Sequence, residues 1–236
     1  MSDERQNDEK TAIFQKSWGI YEAILDRDYM FHKALFAEVR QFLMKRFTEP
    51  FTMADLGCGS ARHIALALTG LPVKLYRGID LAPPALKHAE ENLRAARIPA
   101  EFIQEDLFTW TVRDKTPHDF LFSAFAVHHL NFEQKRKFFL GARQSMAPRG
   151  AFLLIDVMRE GDETRPIYLD RYSNWIRTEW SAFSAEELDM IVEHVRENDF
   201  PETVEVFQSM AIDSGFAPGR ELCRYGWHRA WLFEGS

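Results

Sequence analysis

The chain has 236 residues, of which 46% are hydrophobic and 28% charged, and its formal net charge at pH 7 is -7. A chain of this length buries a core of its own but is short of two average domains, so we expect one domain with insertions. With 12 glycines, 10 prolines and two cysteines, the composition excludes collagen-like, low-complexity and disulfide-scaffold classes. We expect Cys58 and Cys223 to be free thiols, because one bridge is no framework for so long a chain.

The charge and hydropathy patterns limit the location and the partners of the chain. No run of 18 consecutive apolar residues occurs, and the segment MSDERQNDEK is polar where a secretory signal would be basic and then apolar. We therefore expect a cytoplasmic protein that makes no membrane contact. Residues 181–236 hold 4 Lys or Arg against 11 Asp or Glu, and the basic run at 135–137 is typical of a solvated helix face. This pattern argues against nucleic acid as a partner, because phosphates require clustered positive charge.

The N-terminal part of the chain predicts a tail followed by helices. We expect residues 1–10 to be disordered and residues 11–48 to form a helical cap. In the cap, apolar residues recur at helical spacing, as at Phe31, Leu35 and Val39.

Five short apolar runs follow, each ending in a small or acidic residue, as buried strands of a parallel sheet do. The runs are FTMADLG, LYRGIDL, EFIQEDL, HDFLFSAF and AFLLIDV. Helix-sized segments alternate with them at residues 61–69, 83–97 and 132–146, and Pro83 and Pro84 suit the first turn of the second segment. This alternation predicts an α/β fold with a doubly wound, Rossmann-like sheet.

The alternation breaks at residues 159–200, which we interpret as an insertion after the fifth strand. Its second half, SAEELDMIVEHVREN, predicts an acidic helix that begins with a capping box formed by Ser184 and Glu187. The tail predicts two strands that meet at Gly226 in a hairpin at the sheet edge. Residues 11–236 are thus expected to form a single domain.

The segment DLGCGSARH lies where the first strand turns into the first helix of the sheet. Gly57 and Gly59 allow a ligand to approach the backbone closely, and the following helix N-terminus offers unpaired amides. A dinucleotide fingerprint would place a third glycine where this chain has Arg62, which weakens a pyrophosphate-binding interpretation. Taken alone, the motif is equally compatible with a glycine-rich turn that binds nothing.

Two further acidic residues follow the next strands. Asp80 ends the second strand, 21 residues after Gly59, where a carboxylate can accept hydrogen bonds from both hydroxyls of a ribose. Asp106 follows the third strand and can accept from an adenine amine at the same sheet edge. Three consecutive strand ends that read DLGCG, GID and QEDL are far more specific than any one of them.

With these motifs in order, residues 51–158 resemble the class I S-adenosylmethionine-dependent methyltransferase family. The resemblance implies a seven-stranded sheet with an antiparallel last strand and S-adenosylmethionine as cofactor. It also implies that Asp80 binds the ribose, that Asp106 and Leu107 bracket the adenine, and that the glycine loop lines the methionine end. The candidate cofactor contacts are Asp55, Gly57, Cys58, Gly59, Arg62, Asp80, Leu81, Asp106, Leu107, Ser123 and Ala124.

Two adjacent histidines follow the fourth strand in FSAFAVHHLN. His128 and His129 are candidate catalytic groups that position or deprotonate an acceptor, because the pKa of imidazole is near working pH, and we favour His129 as the base. The alternative is that either ring simply packs toward the sheet. We expect no metal site here, because ligands on one helix need a spacing of three or four residues.

An aromatic face in the insertion provides candidate substrate contacts. In RPIYLDRYSNWIRTEWSAF, Tyr168, Tyr172 and Trp175 fall on one helical face. Such a face is more often core, but an insertion after the fifth strand lies near the ligand-binding edge of the sheet. Together with Trp18, Tyr21 and Tyr29 of the N-terminal helices, it is a candidate lid over the acceptor, with core packing as the alternative.

These features favour an enzyme that transfers the methyl group of S-adenosylmethionine to an oxygen or nitrogen of a small-molecule acceptor. Methyl transfer needs orientation and a closed apolar site more than it needs acidic groups. Two alternatives remain at this point: a non-catalytic module that binds S-adenosylmethionine as a scaffold, and an enzyme that performs other chemistry on a sulfonium nucleotide.

Overall fold

The computed structural model describes residues 19–235, in which helices and strands alternate as expected. The expected tail at residues 1–10 and Trp18 lie outside the described residues. The helices are α1 (19–27), α2 (His32–Arg46), α3 (Arg62–Leu68), α4 (Pro83–Ala95), α5 (Leu107–Arg113), α6 (Phe132–Gln144), α7 (Arg165–Glu179), α8 (Ala185–Asn198) and α9 (Val204–Asp213). The strands are β1 (Phe51–Leu56), β2 (Val73–Asp80), β3 (Ala100–Gln104), β4 (His118–Ala124), β5 (Met146–Val157), β6 (Arg220–Tyr225) and β7 (His228–Glu234).

The strands form one seven-stranded sheet in the order β3-β2-β1-β4-β5-β7-β6. Strands β1 to β5 pair in parallel, whereas β7 runs antiparallel to both β5 and β6. The predicted Rossmann-like fold with an antiparallel last strand is confirmed. Because β1 lies between β2 and β4, the strand order reverses at β1, and ligands bind in the crevice outside the carboxyl ends at such a switch point.

Local sequence signals explain where several helices begin. Pro83 and Pro84 occupy the first turn of α4, and Ser184 and Glu187 make the predicted capping box at the start of α8. The apolar periodicity of the sequence did not predict the short helices α5 and α9. Each begins at a side-chain cap, Asp106 for α5 and Thr203 for α9, which is the signal that could have revealed them.

Both faces of the sheet are covered by helices. Residues of α2, α3 and α4 pack in one apolar cluster against one face, and residues of α5, α6 and α9 pack in a second cluster with the other. A third cluster joins α7 and α8 to α1. Among residues 19–235, no helix is long and apolar enough to cross a bilayer. Cys58 and Cys223 are both free thiols, as predicted.

The aromatic face of α7 lies in this third cluster, in agreement with the core packing that the sequence left open beside a lid. Tyr168 and Tyr172 are 0% and 3% exposed, and their rings stack on each other and contact Trp227 edge-on. Trp175 stacks on Tyr172, whose hydroxyl lies 2.9 Å from Nε2 of His228. The physical reason is that α7 packs its apolar face inward, which removes more apolar surface from water than a lid would.

We expect Tyr172→Ala to lower the free energy of unfolding by about 3–5 kcal/mol, because truncation of a buried aromatic ring leaves a cavity. Chemical denaturation measures this, with Leu66→Ala as control: Leu66 is 66% exposed, so its truncation should change stability by no more than about 0.5 kcal/mol. If Tyr172→Ala had normal stability but a raised Michaelis constant for the acceptor, Tyr172 would instead be a contact of the acceptor, as part of a lid.

Candidate functional site

A cavity of about 250 Å³ opens at the carboxyl edge of the sheet, where β1, β2 and β4 end. Its walls come from the loops after these strands, from α1 and from α8. Nine of the candidate residues line it. They are Tyr21, Gly57, Gly59, Asp80, Leu81, Leu107, Ala124, His128 and His129. The parallel sheet therefore brings the predicted cofactor and acceptor residues to one cavity.

The glycine loop after β1 forms one wall of the cavity. Gly57 has a φ of 78°, and a Cβ atom there would lie 2.6 Å from the Cβ of Ala126, so no larger residue fits. Gly59 has a φ of 52°, and the hydroxyl of Tyr21 lies over it, 3.1 Å from where its Cβ would be. The loop is anchored to the sheet because the amides of Gly57 and Cys58 donate to the carbonyl of Ile79.

Asp80 faces the cavity from the end of β2. Its Oδ2 accepts a hydrogen bond of 2.8 Å from the amide of Gly59, and its Oδ1 accepts one of 2.9 Å from the amide of Ala82. Burial raises the pKa of Asp80, although these backbone donors favour its charged form. A carboxylate held in this way has lone pairs left for two hydroxyl donors in the cavity.

The other predicted cofactor residues do not line this cavity. Asp55, Cys58 and Arg62 line a smaller cavity of about 40 Å³ that shares Tyr21 and Gly57 with the larger one.

Two further candidates use their side chains for local structure. Ser123 donates to the carbonyl of Leu56 over 2.7 Å, and Asp106 caps α5 by accepting from the amide of Thr109. Backbone groups at a strand end and a helix start need partners, which explains both contacts.

Asp55 is buried at the end of β1 and accepts a hydrogen bond of 2.6 Å from the hydroxyl of Tyr76. Burial raises the pKa of this carboxyl from 3.8 to about 7, against the effect of the Tyr76 hydrogen bond. A raised pKa in the folded state means that ionisation disfavours folding, so Asp55 lowers stability progressively as the pH rises from about 4 to 7.

We therefore expect Asp55→Asn to be more stable than the wild type at pH 8 and to lose more than half of this advantage at pH 5. The full effect has an upper limit of about 4 kcal/mol, for a shift of roughly three pKa units. Denaturant unfolding at both pH values measures it. Asp162→Asn removes an exposed carboxylate and serves as control. A pH-independent difference between Asp55→Asn and wild type would contradict a raised pKa.

At the other end of the cavity, the histidine pair meets two buried carboxylates. His128 donates its backbone amide to Oδ2 of Asp156 over 2.9 Å, and its Nδ1 lies 2.5 Å from Oδ1 of the same residue. Nε2 of His128 lies 3.6 Å from Oδ1 of Asp199, and Nδ1 of His129 lies 3.4 Å from the same oxygen. His194 lines the same wall, with its ring 5.9 Å from that of His129.

The carboxylates and imidazoles at this end of the cavity shift one another's pKa values. Burial by itself would lower the pKa of His128, but the charges of Asp156 and Asp199 outweigh it and raise that pKa. Burial would raise the pKa of Asp199, yet His128 and His129 hold it below its usual range. This end of the cavity therefore favours a positive charge between the two carboxylates.

Sequence reasoning missed Asp156, His194 and Asp199. Asp156 is the penultimate residue of β5, so the strand-end pattern that identified Asp80 could have found it. His194 lies in α8 and Asp199 directly after it, and no local pattern distinguishes them from other polar residues of an amphipathic helix.

Comparison with known proteins agrees with this arrangement. Residues 53–150 match the family model of a methyltransferase domain. The sequence has no significant match among curated proteins. The fold is similar to that of SibL, described as an S-adenosylmethionine-dependent methyltransferase, with a TM-score of 0.65 and 18% identity over 92% of this chain and 57% of that one.

Two further solved structures are similar. One is an O-methyltransferase family protein from Burkholderia thailandensis, with a TM-score of 0.61 and 19% identity over 79% of this chain and 51% of that one. The other is the mitomycin 7-O-methyltransferase MmcR, with a TM-score of 0.60 and 18% identity over 93% of this chain and 60% of that one. This chain thus spans little more than half the length of these structures.

Residues 53–150 thus match a methyltransferase domain, and the chain shares its fold with solved structures of S-adenosylmethionine-dependent methyltransferases. The resemblance inferred from the strand-end motifs is confirmed.

Proposed function

We propose that the protein transfers the sulfonium methyl group of S-adenosylmethionine to an oxygen or nitrogen of a small-molecule acceptor. One observation carries the proposal: a single cavity joins the glycine loop and Asp80 at one end to His128 and His129 at the other. Cofactor and acceptor then lie next to each other in one cavity. The acceptor atom can therefore approach the methyl carbon from the side opposite the sulfur, as an in-line displacement requires. The cytoplasmic location expected from the sequence is part of this proposal.

The nucleoside of the cofactor lies along the loops after β1, β2 and β3. The carboxylate of Asp80 accepts hydrogen bonds from the ribose hydroxyls, and Leu81 and Leu107 contact the adenine ring. Asp55, Cys58, Arg62, Asp106, Ser123 and Ala124 remain candidate contacts around the methionine and adenine ends. Of these, Ala124 lines the large cavity, and Asp106 uses Oδ1 to cap α5.

The acceptor lies at the histidine end of the cavity. Apolar side chains of α1 and α8, among them Ile20, Ile24 and Ile191, form its walls and exclude water. As the acceptor atom bonds to the methyl carbon, the carbon–sulfur bond breaks and S-adenosylhomocysteine leaves. The proton of a hydroxyl or ammonium acceptor must depart on or before attack, and His129 and His128 are the groups next to it. Tyr21 lies between the cofactor loop and the acceptor.

The aromatic residues Tyr168, Tyr172 and Trp175 support this wall from behind. They pack in the same cluster as Ile24, which lines the cavity. Their contribution to acceptor binding is therefore expected to be indirect.

Calorimetric titration with S-adenosylmethionine and with S-adenosylhomocysteine tests the cofactor half of the proposal. We expect dissociation constants in the micromolar range, which corresponds to about 8 kcal/mol. Binding of NAD with no binding of either sulfur nucleotide would show that the interpretation of the glycine loop is wrong.

A turnover screen of small-molecule extracts with cofactor labelled in the methyl group tests the catalytic half. Labelled product would support methyl transfer, and its structure would identify the acceptor atom. Tight cofactor binding without any labelled product would favour the non-catalytic scaffold, and transfer of a different part of the cofactor would favour other sulfonium chemistry.

A further inference from the structure

We propose that His128, His129 and Asp199 form a binding site for a divalent transition-metal ion, such as Zn²⁺, at the acceptor end of the cavity. Each of the three residues offers a ligand atom within 4.8 Å of the others. Nε2 of His128 and Nδ1 of His129 are the ring nitrogens next to Oδ1 of Asp199. Nδ1 of His129 also lies 3.2 Å from the carbonyl oxygen of Asn198, a contact that an ion at this nitrogen would replace. This site differs from the sequence expectation that the histidine pair binds no metal.

The distances between these atoms fit a shared cation better than direct hydrogen bonds. Oδ1 of Asp199 lies 3.6 Å from the His128 nitrogen and 3.4 Å from the His129 nitrogen. Good N–H···O hydrogen bonds span about 2.7–3.2 Å. Two ligands on a tetrahedral ion with bonds of about 2.0–2.1 Å are separated by about 3.3–3.4 Å.

The burial of Asp199 is a second observation that points to a bound cation at this site. Its carboxylate is buried, with 4% of the residue exposed, and Oδ1 accepts no hydrogen bond of ordinary geometry from the described residues. A buried carboxylate oxygen without such a donor is costly, and a metal ion bound at this oxygen would remove that cost.

The environment of His128 matches that of a metal-binding histidine. Its Nδ1 lies against Asp156, whose carboxylate also accepts the His128 backbone amide, so the ring orientation is held at two points. When Nδ1 carries the proton, the lone pair of Nε2 faces Oδ1 of Asp199. Two lone pairs that face each other repel unless a cation lies between them, and a carboxylate behind a ligating imidazole is the usual supporting contact.

Backbone geometry explains why adjacent histidines converge. Residues Val127–His129 form one turn of 3-10 helix rather than α-helix, and the two ring centroids lie 4.1 Å apart. The spacing rule for α-helical ligands does not apply to such a turn. The carboxylate of Asp199 belongs to a different part of the chain, because Asp199 is the residue directly after α8.

Two imidazoles with one carboxylate select the metal class. Nitrogen ligands suit zinc and its first-row neighbours, whereas Mg²⁺ and Ca²⁺ prefer oxygen ligands. Three protein ligands leave a fourth position for a cavity ligand, as in catalytic zinc sites.

The role of the metal in catalysis rests on the proposed function. An ion held by His128, His129 and Asp199 would act as a Lewis acid on a hydroxyl or phenol oxygen of the acceptor and lower its pKa, and the proton would pass to solvent. The deprotonated oxygen would then bond to the methyl carbon as the carbon–sulfur bond breaks and S-adenosylhomocysteine leaves. The metal site thus favours an oxygen acceptor over a nitrogen acceptor.

Titration of the chelator-treated, full-length protein with Zn²⁺ alone tests the site by calorimetry and by metal analysis after dialysis. We expect one ion per chain, and visible absorption bands of tetrahedral type when Co²⁺ replaces Zn²⁺. Asp199→Asn and His129→Gln should each weaken Zn²⁺ binding at least about 100-fold, since ligand loss exceeds the 10–100-fold cost of losing a supporting contact.

His88→Gln is the matched control, because it removes an imidazole that is 47% exposed on α4, away from the cavity. It should leave the stoichiometry and affinity unchanged. No stoichiometric binding, or equal affinity in wild type, Asp199→Asn and His129→Gln, would overturn the site. Thermal unfolding of each variant shows whether a loss of binding reflects a loss of fold.

Titration of the metal-free protein with S-adenosylmethionine separates this inference from the proposed function. Cofactor binding and methyl transfer without stoichiometric metal binding would overturn the metal site alone and leave the histidines as direct proton acceptors. Metal binding without cofactor binding would support the site and overturn the proposed function.

Discussion

Replacement of Asp80 by alanine is expected to weaken S-adenosylmethionine binding by about 1.5–3 kcal/mol, which is roughly 10- to 150-fold in the dissociation constant. The carboxylate lies in the cavity wall and is oriented by the amides of Gly59 and Ala82. The alanine variant loses the charge-assisted hydrogen bonds to both ribose hydroxyls. It also leaves the Gly59 amide without its acceptor, so the loop that approaches the cofactor loses an anchor. Calorimetric titration of both proteins measures the difference.

Asp106→Ala serves as the comparison, with an expected cost of about 1 kcal/mol in cofactor affinity, because water can replace a contact to an exposed amine edge. Asp106 also caps α5, so its removal should lower stability by about 1 kcal/mol. Equal cofactor affinity in wild type and Asp80→Ala would remove Asp80 from the ribose site.

The second large effect is expected at the acceptor end, where His129→Ala should lower the turnover number on the order of 100-fold or more. The imidazole lies in the cavity wall beside Asp199 and acts on the acceptor either directly or as a metal ligand. Cofactor affinity should stay within about 0.5 kcal/mol of wild type, the additivity expected of sites with no shared contact. Turnover at saturating cofactor, together with a calorimetric titration, separates the two effects.

His88→Ala, on the exposed face of α4, controls for the general loss of a histidine and should turn over at the wild-type rate. If His129→Ala and His128→Ala both kept wild-type turnover, the acceptor would have to lie elsewhere in the cavity. If both lost cofactor affinity as well, the two ends of the cavity would not be separate sites.

The cofactor end of the site was predictable because its residues follow a rule of position. Gly57 and Gly59 follow β1 and Asp80 ends β2, and the carboxyl ends of parallel strands share one edge of the sheet. The hydrogen-bond partners of the neighbouring residues Asp106 and Ser123 were less predictable. Asp106 and Ser123 satisfy backbone groups of α5 and β1, an assignment that depends on which partner lies within reach after folding.

The acceptor end was only half predictable. His128 and His129 follow β4 and were identified from that position, but the carboxylates around them come from β5 and from the end of the insertion. The aromatic face of α7 was recognised as a face, yet its direction was not, because helical periodicity shows that a stripe is apolar without showing what it packs against.

The sequence by itself therefore determined the alternation of strands and helices, the fold class and the residues at the strand ends. These follow from the local periodicity of apolar residues and from the chemistry of glycine and proline at turns. Only the tertiary structure decided that Asp199 meets His128 and His129, and that Tyr168 and Tyr172 lie in the core with Trp175 packed against them. Both outcomes depend on how the insertion docks on the sheet. Docking is set by the shape and burial of surfaces that are distant in sequence, and no local pattern encodes it.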